Sequence, residues 1–241
     1  MNYAVLLSGG SGSRIGSEIP KQYMRAGSYM MVTLALKVLL ECNAVDRVYI
    51  VAENEWRRPI EEDAVNAGLD TGKFRTFADP GKNRQTSILN GLREILLSTT
   101  QSLDVTAMNE NDTVLIHDAA RPFVSLDLLE ACYEALPGHD GVMPTLPMKD
   151  TVYLSDDGSS VSKLLDRRKI FAGQAPELFL FKPYYMANTA LLPNKIMRIN
   201  GASEPAILAG MDITMIPGDE DNFKITTMAD LNRFMDIKER H

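Results

Sequence analysis

Short apolar runs rich in β-branched residues alternate along this chain with stretches whose apolar residues recur at helical spacing. The runs at residues 3–7, 47–52, 74–78, 113–117, 141–145 and 213–216 read as strands. The segments 31–40, 56–67, 84–97, 126–136 and 228–238 read as helices. Within 84–97, Ile88, Leu89, Leu92, Ile95 and Leu96 share one helical face. Strands that are apolar on both sides must be covered on both sides, and alternating strands and helices build crossover units. The expected class is therefore α/β, a mainly parallel sheet with helices on both faces. Ligands of such sheets bind beyond the carboxyl ends of the strands. The glycine-rich loop after residue 7, Asp79-Pro-Gly-Lys-Asn-Arg84 and His117-Asp-Ala-Ala-Arg121 all follow strands, so they should meet at one edge.

The alternation breaks at 150–166. Thr151-Val-Tyr-Leu and Val161-Ser-Lys-Leu-Leu flank the turn-rich Ser155-Asp-Asp-Gly-Ser-Ser, which predicts a β-hairpin. A hairpin inserted into such a sheet is either a decoration or an arm reaching another subunit; because a lone two-stranded hairpin is marginal in water, the arm, at about 148–172 and crossing to a second copy of the chain, is the expectation. With no repeats or clear linkers, residues 1–241 read as one domain carrying this arm, in a homodimer.

Composition narrows the function classes. A net charge of −7 and a pI near 5.1 argue against general nucleic-acid binding. An anionic ligand must then be held by locally clustered Arg and Lys. The two cysteines, Cys42 and Cys132, form neither a disulfide framework nor a metal site, which suits a reducing cytoplasm. No apolar run approaches the ~18 residues of a membrane span, and no basic leader precedes the first strand.

Leu7-Ser-Gly-Gly-Ser-Gly-Ser-Arg14, followed by Pro20-Lys21-Gln22-Tyr23, carries the strongest chemical signal. Four glycines between Gly9 and Gly16 let backbone N–H groups wrap an anion, and Arg14 and Lys21 add formal charge, an arrangement suited to a triphosphate. It is not a dinucleotide fingerprint, because Ile15 stands where the third small residue belongs and Glu53 lies well beyond the ~20-residue spacing of a ribose-reading acid. Nor is it a Walker loop, since Gly16-Ser17-Glu18 has no lysine. Gly81-Lys-Asn-Arg84-Gln-Thr-Ser87 opens a helix, and reads either as an anion-binding N-terminus with Arg84 and Ser87 as donors or as an ordinary cap with a solvent-facing arginine. Asp118, at a strand's carboxyl end, is suited to Mg²⁺, and Arg121 to a second phosphate. His117 reads as a packing residue, and His139 and His241 as solvent residues. Lys224 adds a cation; Arg167 and Arg168 are either arm-surface charges or cations of a neighbouring site.

Taken in order, these segments resemble the methylerythritol-phosphate cytidylyltransferase family and the related ribitol-phosphate cytidylyltransferases. The resemblance covers nearly the whole chain. It rests on the glycine loop with Arg14, Pro20-Lys-Gln-Tyr23, Gly81-x-x-Arg84-x-x-Ser87, His117-Asp-Ala-Ala-Arg-Pro122, Lys149-Asp-Thr151, Gln174-Ala-Pro176 and Asp221-Asn-x-Lys-Ile-Thr226. It implies a Rossmann-like nucleotidyltransferase fold with a hairpin dimerisation arm. Arg14, Lys21, Arg167 and Lys224 would be catalytic. The nucleotide would be held by Leu7, Ser8, Gly9, Gly10, Ser11, Gly12, Ser13, Arg14, Lys21, Gly81, Arg84, Ser87 and Asp118, with Mg²⁺ at Asp118. The acceptor would meet Ala119, Arg121, Lys224 and, from the partner's arm, Thr151 and Arg167. Two departures stand out. The family's Thr-Pro-Gln is here Ala175-Pro176-Glu177, and its acidic Thr-Asp-Glu/Asp-Ala segment is here Asn200-Gly-Ala-Ser203-Glu-Pro. Both fall on the polyol side, while Tyr23 and Ala120 lean toward the methylerythritol branch.

The expected reaction is CTP plus a sugar-alcohol phosphate giving a CDP-alcohol and pyrophosphate, with 2-C-methyl-D-erythritol 4-phosphate as acceptor and D-ribitol 5-phosphate as the alternative. A uridylyl- or guanylyltransferase would use a similar loop. A catalytically silent nucleotide-binding homologue is a rival suggested by the altered 200–205 segment; Arg14, Lys21 and Lys224 together weigh against it.

Overall fold

The computed structural model describes residues 1–10 and 19–239. The chain enters through β1 (Asn2–Leu7), whose side chains alternate between two cores: Ala4 and Leu6 on one face, Tyr3 and Val5 on the other. β2 (Arg25–Ala26) and β3 (Tyr29–Met30) form a small ribbon leading into α1 (Met31–Glu41). Then follow β4 (Arg47–Val51), α2 (Asn54–Asn66), β5 (Phe74–Ala78), α3 (Arg84–Thr100), β6 (Thr113–Asp118), α4 (Leu126–Ala135) and β7 (Gly141–Pro147). The hairpin β8 (Val152–Leu154) and β9 (Lys163–Leu165) interrupts the alternation. β10 (Phe171–Gly173), β11 (Glu177–Leu180), α5 (Phe181–Thr189), α6 (Glu204–Leu208), β12 (Ile213–Pro217) and α7 (Met228–Glu239) complete the described chain.

β1 lies between β4 and β6, parallel to both, with Leu7 level with Val51 and with Asp118. These strands therefore end at one height, and the loops leaving them share one edge. The strand order is β10-β7-β11-β6-β1-β4-β5, with β12 on the outer side of β7. α1, α2 and α4 cover one face, while α3, α5 and α6 cover the other. The predicted apolar face of α3 is real: Ile88, Leu89, Leu92, Ile95 and Leu96 are all at most 1% exposed, and each such burial contributes about 1.5–3 kcal/mol.

The sheet is mixed, not wholly parallel, because β11 runs antiparallel between β6 and β7. The strand pattern did not reveal β11. It is only four residues long, follows Pro176 and runs without a break into α5, and periodicity cannot separate so short an apolar run from a buried helix. The hairpin forms where expected, with Tyr153 facing Leu164, but Tyr153, Leu154, Val161 and Leu164 are 45–65% exposed. Asp157 closes its turn by accepting from the Ser159 and Ser160 N–H groups.

Candidate active site

Backbone contact between two loops builds the floor of the cleft. The Ser8 N–H donates to the Val51 carbonyl at 2.8 Å, continuing the β1–β4 ladder past the strand end. A Cβ on Gly9 would lie 2.4 Å from Pro80 Cβ, so glycine is required for the loops after β1 and β5 to touch. Gly10 lines the cleft, where a Cβ would meet none of the described residues within 4 Å. Gly9, expected as part of an anion cradle, answers to packing. Ser11, Gly12, Ser13 and Arg14 lie outside the described residues.

The Pro20–Tyr23 segment turns back onto this loop. Gln22 Nε2 donates to the Ser8 and Gly10 carbonyls at 2.7 and 2.6 Å, and Tyr23 Oη donates to the Ser8 carbonyl at 2.6 Å. The Tyr23 ring stacks on Trp56 at 4.1 Å. This clamp carries Lys21 into the cleft wall, where it is buried. In the sequence, Gln22 and Tyr23 are visible only as part of the Pro20–Tyr23 motif, and their adjacency to Lys21 is the signal that points to this clamp.

At the start of α3 the capping reading holds. Asn83 accepts from the Thr86 N–H while Thr86 Oγ1 accepts from the Asn83 N–H, so the helix satisfies its own first turn. Gly81 is needed here because a Cβ would come within 2.2 Å of Thr86 Oγ1. Ser87 Oγ accepts from the Gly81 N–H, holding the turn against the cleft. Arg84 does not face solvent. Its Nε and Nη2 donate to Asp118 Oδ1 at 3.0 and 2.9 Å.

Lys224 reaches the same carboxylate from the far end of the chain, Nζ to Oδ2 at 2.8 Å. Its loop is docked by three contacts: Ile225 N–H to the Ala120 carbonyl, Arg121 Nη1 to the Asn222 carbonyl, and Asn222 Nδ2 to the Ala175 carbonyl. Burial alone would raise the Asp118 pKa, but Arg84 and Lys224 outweigh it and hold the carboxyl well below the usual range. Burial opposes the charge on Arg84, yet Asp118 and Glu177 keep its pKa above the ordinary value. Burial lowers the Arg121 pKa. His117, fully buried with Nε2 on the Arg121 carbonyl, is pushed down to about 4 by burial and is the expected neutral packing residue.

Two cavities meet along this row of charges. The larger, about 500 Å³, is lined by Leu7, Ser8, Gly9, Gly10, Lys21, Gly81, Arg84, Ser87, Asp118 and Lys224, joining ten sequence-derived positions. Glu53 and Lys82 stand at its wall as well. The smaller, about 200 Å³, shares Arg84, Asp118 and Lys224 and adds Arg121, Gln174, Glu177, Asn200 and Ser203. Glu177, visible in the sequence only as part of the departing Ala175-Pro176-Glu177 segment, is buried with Oε1 3.9 Å from Arg84 Nη2.

One expected acceptor contact, Ala119, falls elsewhere, and Thr151 and Arg167, expected to serve the partner's acceptor site, lie apart from both cavities. Ala119 is fully buried in the core with α1 and α4, and its neighbour Ala120 lines the larger cavity instead. A strand-end residue must point into one face or the other, and Ala119 points inward. Thr151 and Arg167 line neither cavity of their own chain; Arg167 Nη1 donates to the Lys149 carbonyl at the base of the arm. Among the described residues no cluster of three His, Cys, Asp or Glu side chains is arranged to hold a metal. Asp118 already accepts three hydrogen bonds from Arg84 and Lys224, leaving about one lone-pair site of a carboxylate's four.

The model of the family described as IspD, 2-C-methyl-D-erythritol 4-phosphate cytidylyltransferase, matches residues 3–237. The chain is 33% identical over 237 residues to 2-C-methyl-D-erythritol 4-phosphate cytidylyltransferase of Rubrobacter xylanophilus, covering 95% of this chain and 90% of that protein. It is 32% identical to the bifunctional enzyme IspD/IspF of Maricaulis maris, covering 95% of this chain and 55% of that protein. It thus spans about half the length of the bifunctional relatives it matches. The crystal structure of 4-diphosphocytidyl-2C-methyl-D-erythritol synthase from Anaerococcus prevotii superposes with a TM-score of 0.79 at 22% identity, covering 99% of this chain and 96% of that one. The cytidylyltransferase of Francisella tularensis superposes at 0.75 and 21%, covering 98% and 99%. At these identities the structures speak for the fold, and the sequence matches for the family. This chain, with its Lys21 turn, its Arg84–Asp118–Lys224 row and its mixed sheet, belongs to the 2-C-methyl-D-erythritol 4-phosphate cytidylyltransferase family.

Proposed function

We propose that the protein transfers CMP from CTP to 2-C-methyl-D-erythritol 4-phosphate, releasing pyrophosphate. The observation that carries this reading is the meeting of a triphosphate-sized cleft and a smaller polar cavity along one wall, Arg84, Asp118 and Lys224. The nucleotide occupies the larger cavity, with its phosphates toward Lys21 and Arg14. The acceptor occupies the smaller one, with its phosphate at Lys224 and Arg121. An oxygen of that phosphate attacks the α-phosphorus, the α–β bridging P–O bond breaks, and its electron pair leaves on pyrophosphate. A phosphate monoester is already anionic near neutral pH, so no strong base is needed; positioning and charge stabilisation supply the catalysis. Asp118 keeps Lys224 and Arg84 fixed at the junction. Backbone groups of the loop after β1 and of the Gly81–Ser87 turn are suited to reading the cytosine edge.

Asp118, with its one spare lone-pair site, would hold Mg²⁺ together with oxygens from outside the protein, and the ion would supply neutralisation of phosphate charge. The exposed apolar hairpin is the dimerisation arm, and it delivers Thr151 and Arg167 to the partner's acceptor cavity. The two free, buried cysteines suit a reducing cytoplasm.

D-Ribitol 5-phosphate is the second acceptor considered, because Ala175, Glu177, Asn200 and Ser203, all within the departing segments, line the smaller cavity. Pyrophosphate release with CTP across a panel of polyol phosphates decides between them. Release only with the methylerythritol phosphate is expected, and release with none of the panel would overturn the reading. Mixing Arg167→Ala with Lys21→Ala subunits should restore one working site per heterodimer. If each arm served its own subunit, no activity would return.

A further inference from the structure

Glu177 opens β11 opposite Ile116 of β6, and Asp118 follows two residues later on that strand. Side chains two apart share a face, so both acids lie on the α3 side of the sheet with Arg84 between them, 2.9 Å from one and 3.9 Å from the other. The two acids are not used alike. Arg84 spends its Nε and Nη2 donors on Asp118; at 3.9 Å it neutralises Glu177 without hydrogen-bonding it. Burial pushes the Glu177 pKa upward, opposed by the Arg84 charge and, among the described residues, by hydrogen bonding from the Ser203 hydroxyl and N–H. What little of Glu177 is exposed, 7%, borders the smaller cavity. A buried carboxylate requires hydrogen-bond donors, and an ionised one offers about four acceptor sites and no donor.

The cavity is chemically divided. Its cations, Arg84, Arg121 and Lys224, suit a phosphate; Gln174, Asn200 and Ser203 beside Glu177 suit hydroxyls. We propose that Glu177 accepts hydrogen bonds from hydroxyl groups on the carbon chain of the acceptor, selecting a polyhydroxylated phosphate monoester over one of equal length without hydroxyls. Glutamine, the residue the family pattern places here, both donates and accepts; the carboxylate demands donors. The inference rests on the proposed cytidylyl transfer and deepens it.

The test compares wild type with the isosteric Glu177→Gln, using CTP with the preferred polyol phosphate and with n-butyl phosphate as the hydroxyl-free probe. Hydrogen bonds to a charged group are worth about 1.5–3 kcal/mol, so KM for the polyol phosphate should rise about tenfold or more. KM for CTP should stay within about twofold, and the preference over n-butyl phosphate should shrink to match. An unchanged polyol KM, or equal rises in both KM values, would overturn the role, the latter meaning that Glu177 acts only by holding Arg84. If the variant does not fold, inhibition of wild type decides the matter: n-butyl phosphate as tight as a non-reacting polyol phosphate would refute it. Wild type inactive with every polyol phosphate would instead sink the reaction itself.

Discussion

Asp118→Asn is the sharpest perturbation of this site, because one atom-for-atom exchange uncouples three elements. The carboxylate joins α3 through Arg84 and the loop before α7 through Lys224, residues 34 and 106 positions away. Removing one partner of a buried ion pair costs about 3–5 kcal/mol. Here Arg84 and Lys224 side chains are 28% and 34% exposed, and Glu177 remains 3.9 Å from Arg84. Water and that second acid compensate part of the loss, so about 2–3 kcal/mol is expected, or roughly 1 M in urea midpoint. Activity should fall further than stability implies, since Lys224 loses its anchor: about 100-fold in kcat/KM, equivalent to ~2.7 kcal/mol. The pH dependence has a definite sign. Asp118 has a depressed pKa in the folded chain, so its contribution is complete above the unfolded value near ~3.9 and is lost only as pH falls through the lower folded value. The stability gap between wild type and variant should therefore be flat from about pH 9 to 5 and close in acid. Urea titrations at several pH values and initial rates of pyrophosphate release measure both effects. A midpoint within about 0.3 M of wild type together with kcat/KM within about twofold would refute the argument that this carboxylate organises the junction.

Lys21→Ala and Arg14→Ala should each lower kcat by about two orders of magnitude; a folded variant with near-normal kcat removes that residue from the mechanism. Gln22→Leu removes two hydrogen bonds, to the Ser8 and Gly10 carbonyls, worth about 0.5–1.5 kcal/mol each, and should raise KM for CTP about tenfold; a CTP titration that matches wild type contradicts the clamp. His117 is held near 4 against an ordinary 6.5, so the unfolded chain binds the extra proton between those values. Stability should rise with pH through that window by up to about 3 kcal/mol; an identical slope in His117→Asn would rule this residue out as the source.

Strand pattern alone places the loops after β1, β5 and β6 at one edge, and Leu7 does end level with Asp118 and, through Val51 of β4, with Ala78 of β5. Local spacing carries that information, because apolar strands must be buried and short crossovers keep them parallel. The same pattern revealed α3 and the hairpin. It also made Lys21, Arg84, Asp118 and Lys224 visible as charges beside glycine turns, although their pairing was not. Whether Arg84 faces solvent or Asp118, whether Ala119 or Ala120 meets the cleft, and which acid stands beside Ser203 depend on contacts between residues distant in sequence. Gly9 shows the limit within a single residue: its glycine looked like a phosphate cradle, yet Pro80, from another strand's loop, is what excludes a side chain there. β11 shows it for an element, since a four-residue run becomes a strand only by filling the gap between β6 and β7. Periodicity along the chain determined the layers and the edge at which the cavities open; packing across the chain decided which charges pair there, because an ion pair is specified by distance in space and not by separation in sequence.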